Sequence, residues 1–179
     1  MRRNLIVCID CGDTIVDEST QVFAPDGTVR SAEAIPGAPE AILELQRRGY
    51  TLALVADGRT TSFENILKRL KLWDVFDARA ISEELGAEKP DAVMFQTALR
   101  RLGLSESDAT RAVMIGNNLK RDVLGANRMG MTSVLLSYSP RYCMIPETEE
   151  ETPDYVAATP SEWPALIETI EQSMANSSR

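Results

Sequence analysis

Leu5 to Ile9 is an apolar run of five residues with no polar alternation, and it ends directly on Asp10. A strand that shows no period of two is buried on both faces, as the central strands of parallel sheets are. Such a strand needs a layer of helices on each side. Asp10 then leaves its carboxyl end into the turn Cys11-Gly12-Asp13-Thr14. In open α/β sheets ligands bind along that edge, so the carboxylate is placed for chemistry. The competing role for Asp10 is to cap the turn after the strand.

Further strand patterns follow at Thr51–Ala56, Ala78–Ile81, Ala112–Ile115, Thr132–Leu136 and Asp154–Ala157. Helical spacing of apolar residues lies between them, over about Pro36–Arg48, Thr60–Lys71, Asp91–Leu102, Lys120–Met129 and Ser161–Met174. Gly49 and Gly130 stop two of these helices, and Thr60, Thr61 and Ser62 are candidate caps for another. Gln21–Ala24 and Thr28–Arg30 flank the turn signal Pro25-Asp26-Gly27, which makes residues 17–35 a β-hairpin flap beside Asp10. Strict alternation of strands and helices predicts one three-layer, Rossmann-like, doubly wound domain over residues 1–174 with a mainly parallel sheet. Residues 175–179 are expected to fray. Trp73, Phe76 and Trp163 read as core or helix-docking aromatics, and the segment Ser137–Pro153, with its acidic run Glu147–Glu151, as a solvated loop.

A chain of 179 residues supports one sizeable core, and its net charge of −8 argues against binding a phosphate backbone, so no nucleic-acid partner is expected. The apolar run after Arg2 and Arg3 is shorter than a signal-peptide core and far shorter than a membrane span. A cytoplasmic protein with no membrane association is the expectation. Three cysteines make no disulfide framework, and Cys8 and Cys11 straddle a buried strand end where neither a zinc site nor a redox helix is built. The chain has no histidine. Triads based on imidazole are therefore excluded, and acid–base work falls to carboxylates, Lys or Tyr.

Parallel strands put their carboxyl ends on one edge. There they gather Asp10, Gly12, Asp13 and Thr14, then Asp57, Gly58 and Arg59, then Lys89, then Asn117 with Asp122. Carboxylates, one ammonium and one amide suit a divalent cation together with a phosphate. Mg²⁺ takes one or two carboxylates and keeps waters, while lysine offers a point charge to phosphoryl oxygens.

In these four segments the chain resembles the haloacid dehalogenase superfamily of hydrolases. Asp10-Cys11-Gly12-Asp13-Thr14-Ile15-Val16-Asp17 is similar to its first motif, Leu54-Val55-Ala56-Asp57-Gly58 to its second, Lys89-Pro90 to its third, and Gly116-Asn117-Asn118 through Asp122 to its fourth. The resemblance implies that Asp10 attacks phosphorus to form an aspartyl-phosphate, that Mg²⁺ is held by Asp10 and the Gly12 carbonyl with Asn117 and Asp122 nearby, and that Lys89 balances charge. Thr14, Gly58 and Arg59 are the candidate substrate contacts. The expected partner is a small phosphorylated substrate. About forty residues separate the first two motifs, too few for a helical cap, so the hairpin is the available cover and a possible homodimer contact.

Three positions depart from the phosphatase pattern of the family. Gly12 stands at the usual general acid–base, Ala56 replaces a hydroxyl residue and is followed by Asp57, and Asn117 replaces a metal-binding aspartate. Loss of a general acid costs about 10²- to 10⁴-fold, which nucleophile and positioning can survive when the leaving group is good. The expected substrates are therefore small or activated phosphate esters and acyl phosphates. A second expectation is that Asp13 or Asp57 takes over proton transfer; its competitor has Asp13 in solvent and Asp57 capping the next helix. The alternative function is a catalytically impaired binding or regulatory protein on the same scaffold.

Overall fold

A computed structural model describes residues 3–138 and 141–177. Its centre is the strand β1 (Ile6–Ile9), every residue of which is buried. A hairpin of β2 (Val16–Phe23) and β3 (Val29–Ala34) follows, then α1 (Ala38–Arg47), β4 (Thr51–Ala56) and α2 (Thr60–Arg69). The chain continues through β5 (Ala78–Ile81), the short α3 (Ser82–Leu85), α4 (Ala92–Arg101), β6 (Ala112–Gly116), α5 (Leu124–Arg128), β7 (Thr132–Leu136), β8 (Tyr155–Ala157) and α6 (Trp163–Ser177).

The main sheet has the order β5-β4-β1-β6-β7-β8, with every pairing parallel. β1 pairs with β4 on one side and β6 on the other, and Ile9 faces Leu54 and Ile115 across the two ladders. The chain reverses its direction of travel across the sheet between β1 and β6. Asp10 therefore emerges at the switch point, where the crevice of a doubly wound sheet opens.

Two apolar layers sandwich the sheet. Val7, Ile9, Leu52, Leu54 and Ile115 meet Ile42, Leu45, Ile66, Leu67, Trp163 and Ile167 from α1, α2 and α6. The alternate residues Ile6, Cys8, Ala53, Val55 and Met114 meet Met94, Phe95, Ala98 and Leu99 from α4. A strand with both sets of side chains buried has no polar face, which is the physical origin of the unalternating run at residues 5–9. Phe76 and Trp163 are buried as expected, and Trp73 packs at the edge of the first layer.

The structure revises several local expectations. The hairpin strands are longer than the turn signal suggested, and at its exposed end Val22 and Phe23 are more than half accessible. α2 has Arg59 at its N-cap without a side-chain bond; Ser62 instead accepts the Val29 N–H at 3.0 Å and ties the hairpin to α2. Residues 119–123 form a π-helical turn ahead of α5. α6 runs on through Ser177, so residues 175–177 of the expected tail are helical, and 178–179 lie outside the described residues. No helix among the described residues is long and apolar enough to cross a membrane.

Candidate functional site

Asp10 continues the β1 ladder by donating its N–H to the Ile115 carbonyl at 3.0 Å, and this fixes the direction of its side chain. One carboxylate oxygen, Oδ1, accepts from Lys89 Nζ at 2.6 Å; the other, Oδ2, accepts from the Thr14 hydroxyl at 3.1 Å. The ammonium of Lys89 also reaches Asp122 Oδ1 at 2.7 Å and the Val55 carbonyl at 2.9 Å. Its three donors are thus all used, with the side chain only 2% exposed. Burial pulls the lysine pKa down, but Asp10, Asp122 and Asp57 outweigh it and hold the group charged.

Asp122 rides on the π-helical turn, and the Asn118 N–H donates to its Oδ2 at 3.0 Å. Burial pushes its carboxyl up to about 7, against the pull of Lys89. Gly116 makes this position possible: a methyl group at that residue would sit 2.2 Å from Asp122 Cγ. Asp57 accepts from the Lys89 backbone N–H at 3.0 Å and from Arg121 at 3.2 Å. It does not cap α2. Burial raises its pKa, with Lys89 opposing.

These groups line a cleft of about 50 Å³ whose walls are Asp10, Gly12, Glu18, Asp57, Lys89, Asn117, Asn118, Arg121, Asp122 and Tyr142. A far larger concavity, about 1270 Å³, lies at the opposite, amino edge of the sheet. Its cations are satisfied internally, Arg3 by Glu168 and Glu171 and Arg48 by Glu44 and Glu168. The smaller cleft, where unlike charges converge on the Asp10 carboxylate at the switch point, is the candidate site.

Of the expected residues, Asp10, Gly12, Asp57, Lys89, Asn117 and Asp122 meet in this cleft. Four others do not line it, and each has a use inside the protein. Thr14 is fully buried and holds Asp10. The Gly58 N–H donates to Ser82 Oγ at 2.8 Å, and Arg59 Nη1 donates to the Asp26 carbonyl at the hairpin turn at 2.8 Å. Asp13 is 2% exposed, not solvated. At a positive φ of 50°, its Oδ1 accepts the Glu18 N–H at 2.9 Å and its Oδ2 pairs with Arg141 Nε at 2.6 Å.

Glu18, Arg121 and Tyr142 also line the cleft, although none of them stands at a strand end in the sequence. Glu18 is half-buried, and its pKa is raised first by burial and then by Asp13, against Arg141. Cys8 and Cys11 are free and fully buried; burial pushes the Cys8 thiol up to about 12 and raises Cys11 well above its ordinary value. Neither is poised as a thiolate.

No group of three or more His, Cys, Asp or Glu side chains surrounds one metal position among the described residues. The cleft nevertheless fits a hard cation that needs few protein ligands. It holds four carboxylates, Asp10, Glu18, Asp57 and Asp122, against Lys89 and Arg121. The amide of Asn117, 2% exposed, leaves its Nδ2 end without a hydrogen-bond partner.

A family model described as haloacid dehalogenase-like hydrolase matches residues 14–136. The ribulose-1,5-bisphosphate 5-phosphatase of Halopiger xanaduensis is 42% identical over 105 residues, covering 59% of this chain and 43% of that protein. The glyceraldehyde 3-phosphate phosphatase of Pyrococcus furiosus is 31% identical over 138 residues, covering 77% and 55%. The chain thus spans about half the length of the curated relatives it matches. Among solved structures, a HAD phosphatase from Thermococcus onnurineus aligns with a TM-score of 0.65 at 27% identity, covering 76% of this chain and 59% of that one. A protein from Listeria monocytogenes shares the fold over 94% of this chain and 99% of its own, with a TM-score of 0.74 at 24% identity. With the family model matched over residues 14–136, more than half of its length, the chain belongs to the haloacid dehalogenase-like hydrolases.

Proposed function

We propose that the protein is a phosphohydrolase that transfers a phosphoryl group from a small phosphorylated substrate to Asp10 and then to water. The observation that carries this reading is the geometry of Asp10: a carboxylate at the switch point, oriented from both oxygens by Lys89 and Thr14, 8% exposed and open to the cleft. A carboxylate held this way has its lone pairs aimed and its rotamer locked before substrate arrives, which is the entropic part of catalysis.

Lys89 holds Asp10 Oδ1 by a 2.6 Å hydrogen bond and supplies positive charge beside the place where phosphoryl oxygens gather. Arg121, at the mouth and paired with Asp57, is the group able to swing onto the rest of a substrate. The cleft volume of about 50 Å³ corresponds to roughly two water molecules. A phosphoryl group enters it, and the remainder of the substrate stays outside against Arg121 and Tyr142. Asp10, the Gly12 carbonyl, Asn117 and Asp122 would hold Mg²⁺, which when bound would neutralise charge on the phosphoryl oxygens. The relatives named above as phosphatases of ribulose bisphosphate and glyceraldehyde phosphate support small phosphate esters as the substrate class.

Phosphate release from acetyl phosphate, 4-nitrophenyl phosphate and short sugar phosphates, measured with Mg²⁺, tests the reading. The wild-type protein is expected to turn over at least one of them, and Asp10→Asn to lose at least about a thousandfold. An Asp10→Asn protein as active as wild type would overturn it. A wild-type protein inert toward all of them would favour the regulatory alternative, whose support is the departure from the phosphatase pattern at Gly12, Ala56 and Asn117.

A further inference from the structure

Hydrolysis through Asp10 makes two proton demands. The departing oxygen must gain a proton as its bond to phosphorus breaks, and the attacking water must lose one. With no histidine in the chain, the cleft offers carboxylates, Lys89 and Tyr142. Lys89 has its three donors engaged by Asp10, Asp122 and the Val55 carbonyl, and phenols as a class are far weaker acids than carboxylic acids, so a carboxylate suits the task. Asp10 is itself the nucleophile. Asp122 is engaged by Lys89 Nζ and the Asn118 N–H, and the capacity it has left is assigned above to the cation. Asp57 is held by the Lys89 N–H and Arg121. Asp13, outside the cleft, is held by the Glu18 N–H and Arg141.

Glu18 remains, and its position is unusual. It enters from β2 of the hairpin and not from a sheet strand, yet its carboxylate lies directly over Gly12, two residues beyond Asp10. A methyl group built on Gly12 would fall 2.0 Å from Glu18 Oε1, 2.7 Å from Cδ and 3.2 Å from Cγ. The Glu18 carboxylate thus occupies the space into which any side chain at position 12 would project. A tight arrangement fixes it there. Asp13 accepts the Glu18 N–H at 2.9 Å, and Arg141 grips Asp13 Oδ2 and Glu18 Oε2, each at 2.6 Å. Oε1 is left as the oxygen turned to Gly12 and the cleft, and 32% exposure of the side chain lets it exchange protons with solvent.

We propose that Glu18 is the acid–base catalytic residue of this site, working from the hairpin in the volume vacated by the side chain at position 12, with Asp13 and Arg141 as its positioning residues. The inference rests on the phosphohydrolase reading of Asp10. In the first half-reaction a bond forms between an Asp10 oxygen and phosphorus. The bond from phosphorus to the leaving oxygen breaks, its electron pair stays on that oxygen, and the Glu18 carboxyl proton moves onto it. In the second half, water attacks the phosphorus and gives a proton to the Glu18 carboxylate. The bond between Asp10 and phosphorus then breaks, returning Asp10 as a carboxylate and releasing phosphate. Glu18 ends protonated, as it began.

Glu18→Gln keeps the size and hydrogen-bonding shape of the residue and removes its proton chemistry. With glycerol phosphate, whose leaving alkoxide needs the proton, turnover is expected to fall about 10²- to 10⁴-fold. With 4-nitrophenyl phosphate the first half needs no acid. A rapid burst of one equivalent of nitrophenolate should therefore survive in Glu18→Gln, followed by a slow steady rate as the phosphorylated Asp10 waits for an unactivated water. A second pair of variants guards against misfolding. Gly12→Asp in a Glu18→Ala background, where the space is cleared, should regain glycerol phosphate turnover that Glu18→Ala alone has lost. Equal slowing of both substrates without a burst, or wild-type rates in Glu18→Gln, would overturn the assignment while leaving Asp10 as the nucleophile. A wild-type protein silent on every phosphate would remove the phosphohydrolase reading and this inference with it.

Discussion

Lys89 is the residue on which the electrostatics of the cleft balance. Its ammonium is bonded to two carboxylates and a carbonyl in a space closed to water. Breaking a buried ion pair by deleting one partner leaves an uncompensated charge and costs about 3–5 kcal/mol. Lys89→Met is therefore expected to lower unfolding stability by that amount in urea titrations, as well as to abolish phosphate release. A stability change within about 0.5 kcal/mol, the range of ordinary surface substitutions, would show that the cluster is hydrated and not sealed. Much of this site is legible in the sequence. Asp10, Asp57, Lys89, Asn117 and Asp122 follow apolar runs or their loops, and a parallel sheet turns that placement into proximity. Glu18 and Arg141 were not legible, because neither stands at the end of a sheet strand. Glu18 belongs to the hairpin, and Arg141 comes from a segment whose acidic, loop-like composition reads as solvated. The available signal was a Gly two residues past Asp10, leaving a volume that another chain segment had to fill.

At the scale of elements, the hairpin is held to the domain by α2. Ser62 Oγ accepts the Val29 N–H at 3.0 Å, and Asn65 donates to the Val29 carbonyl at 3.1 Å, so both backbone groups of one hairpin residue are bound by one helix. Ser62→Ala leaves a buried N–H without a partner, a loss of about 1–3 kcal/mol. The expected outcome is faster hydrogen exchange at Val29 than at amides of β1, which the substitution does not touch. Unchanged protection at Val29 would mean that packing alone holds the hairpin. The turn carrying Asp122 depends in the same way on what β6 omits. Gly116→Ala would drive a methyl into Asp122 Cγ, so the carboxylate must leave Lys89, with a stability loss of about 1–3 kcal/mol and reduced phosphate release. Strands at residues 51–56, 78–81 and 132–136 coincide with their sequence patterns, because their apolar runs are bounded by polar or glycine residues. The hairpin itself is legible from its turn, but the full length of its strands and the π-helical turn escaped, since mixed polar strands lack a burial period and the turn differs from an α-helix only in its hydrogen-bond register.

For the molecule as a whole, the six-stranded sheet gathers charges from across the sequence, and the balance they leave predicts how the fold responds to ions. Residues as far apart as Asp10 and Asp122 share one ammonium, and the cleft retains an excess of carboxylates over cations. The protein also carries a net charge of −8, so any salt relieves some general repulsion. The two effects are separable. A bound cation stabilises the native state by mass action, about 2.7 kcal/mol when its concentration is 100 times Kd. For a chain of this size 1 kcal/mol moves Tm by about 2–4 °C, so saturating Mg²⁺ should raise Tm by roughly 5–10 °C. That shift should saturate, exceed the one produced by NaCl at equal ionic strength, and disappear in Asp10→Asn, where a charged ligand is gone but seven-eighths of the overall charge remains. If NaCl matched Mg²⁺, or if Asp10→Asn kept the full shift, the cation would be acting on the surface at large, and the carboxylate excess around Asp10 would have to be relieved by proton uptake instead.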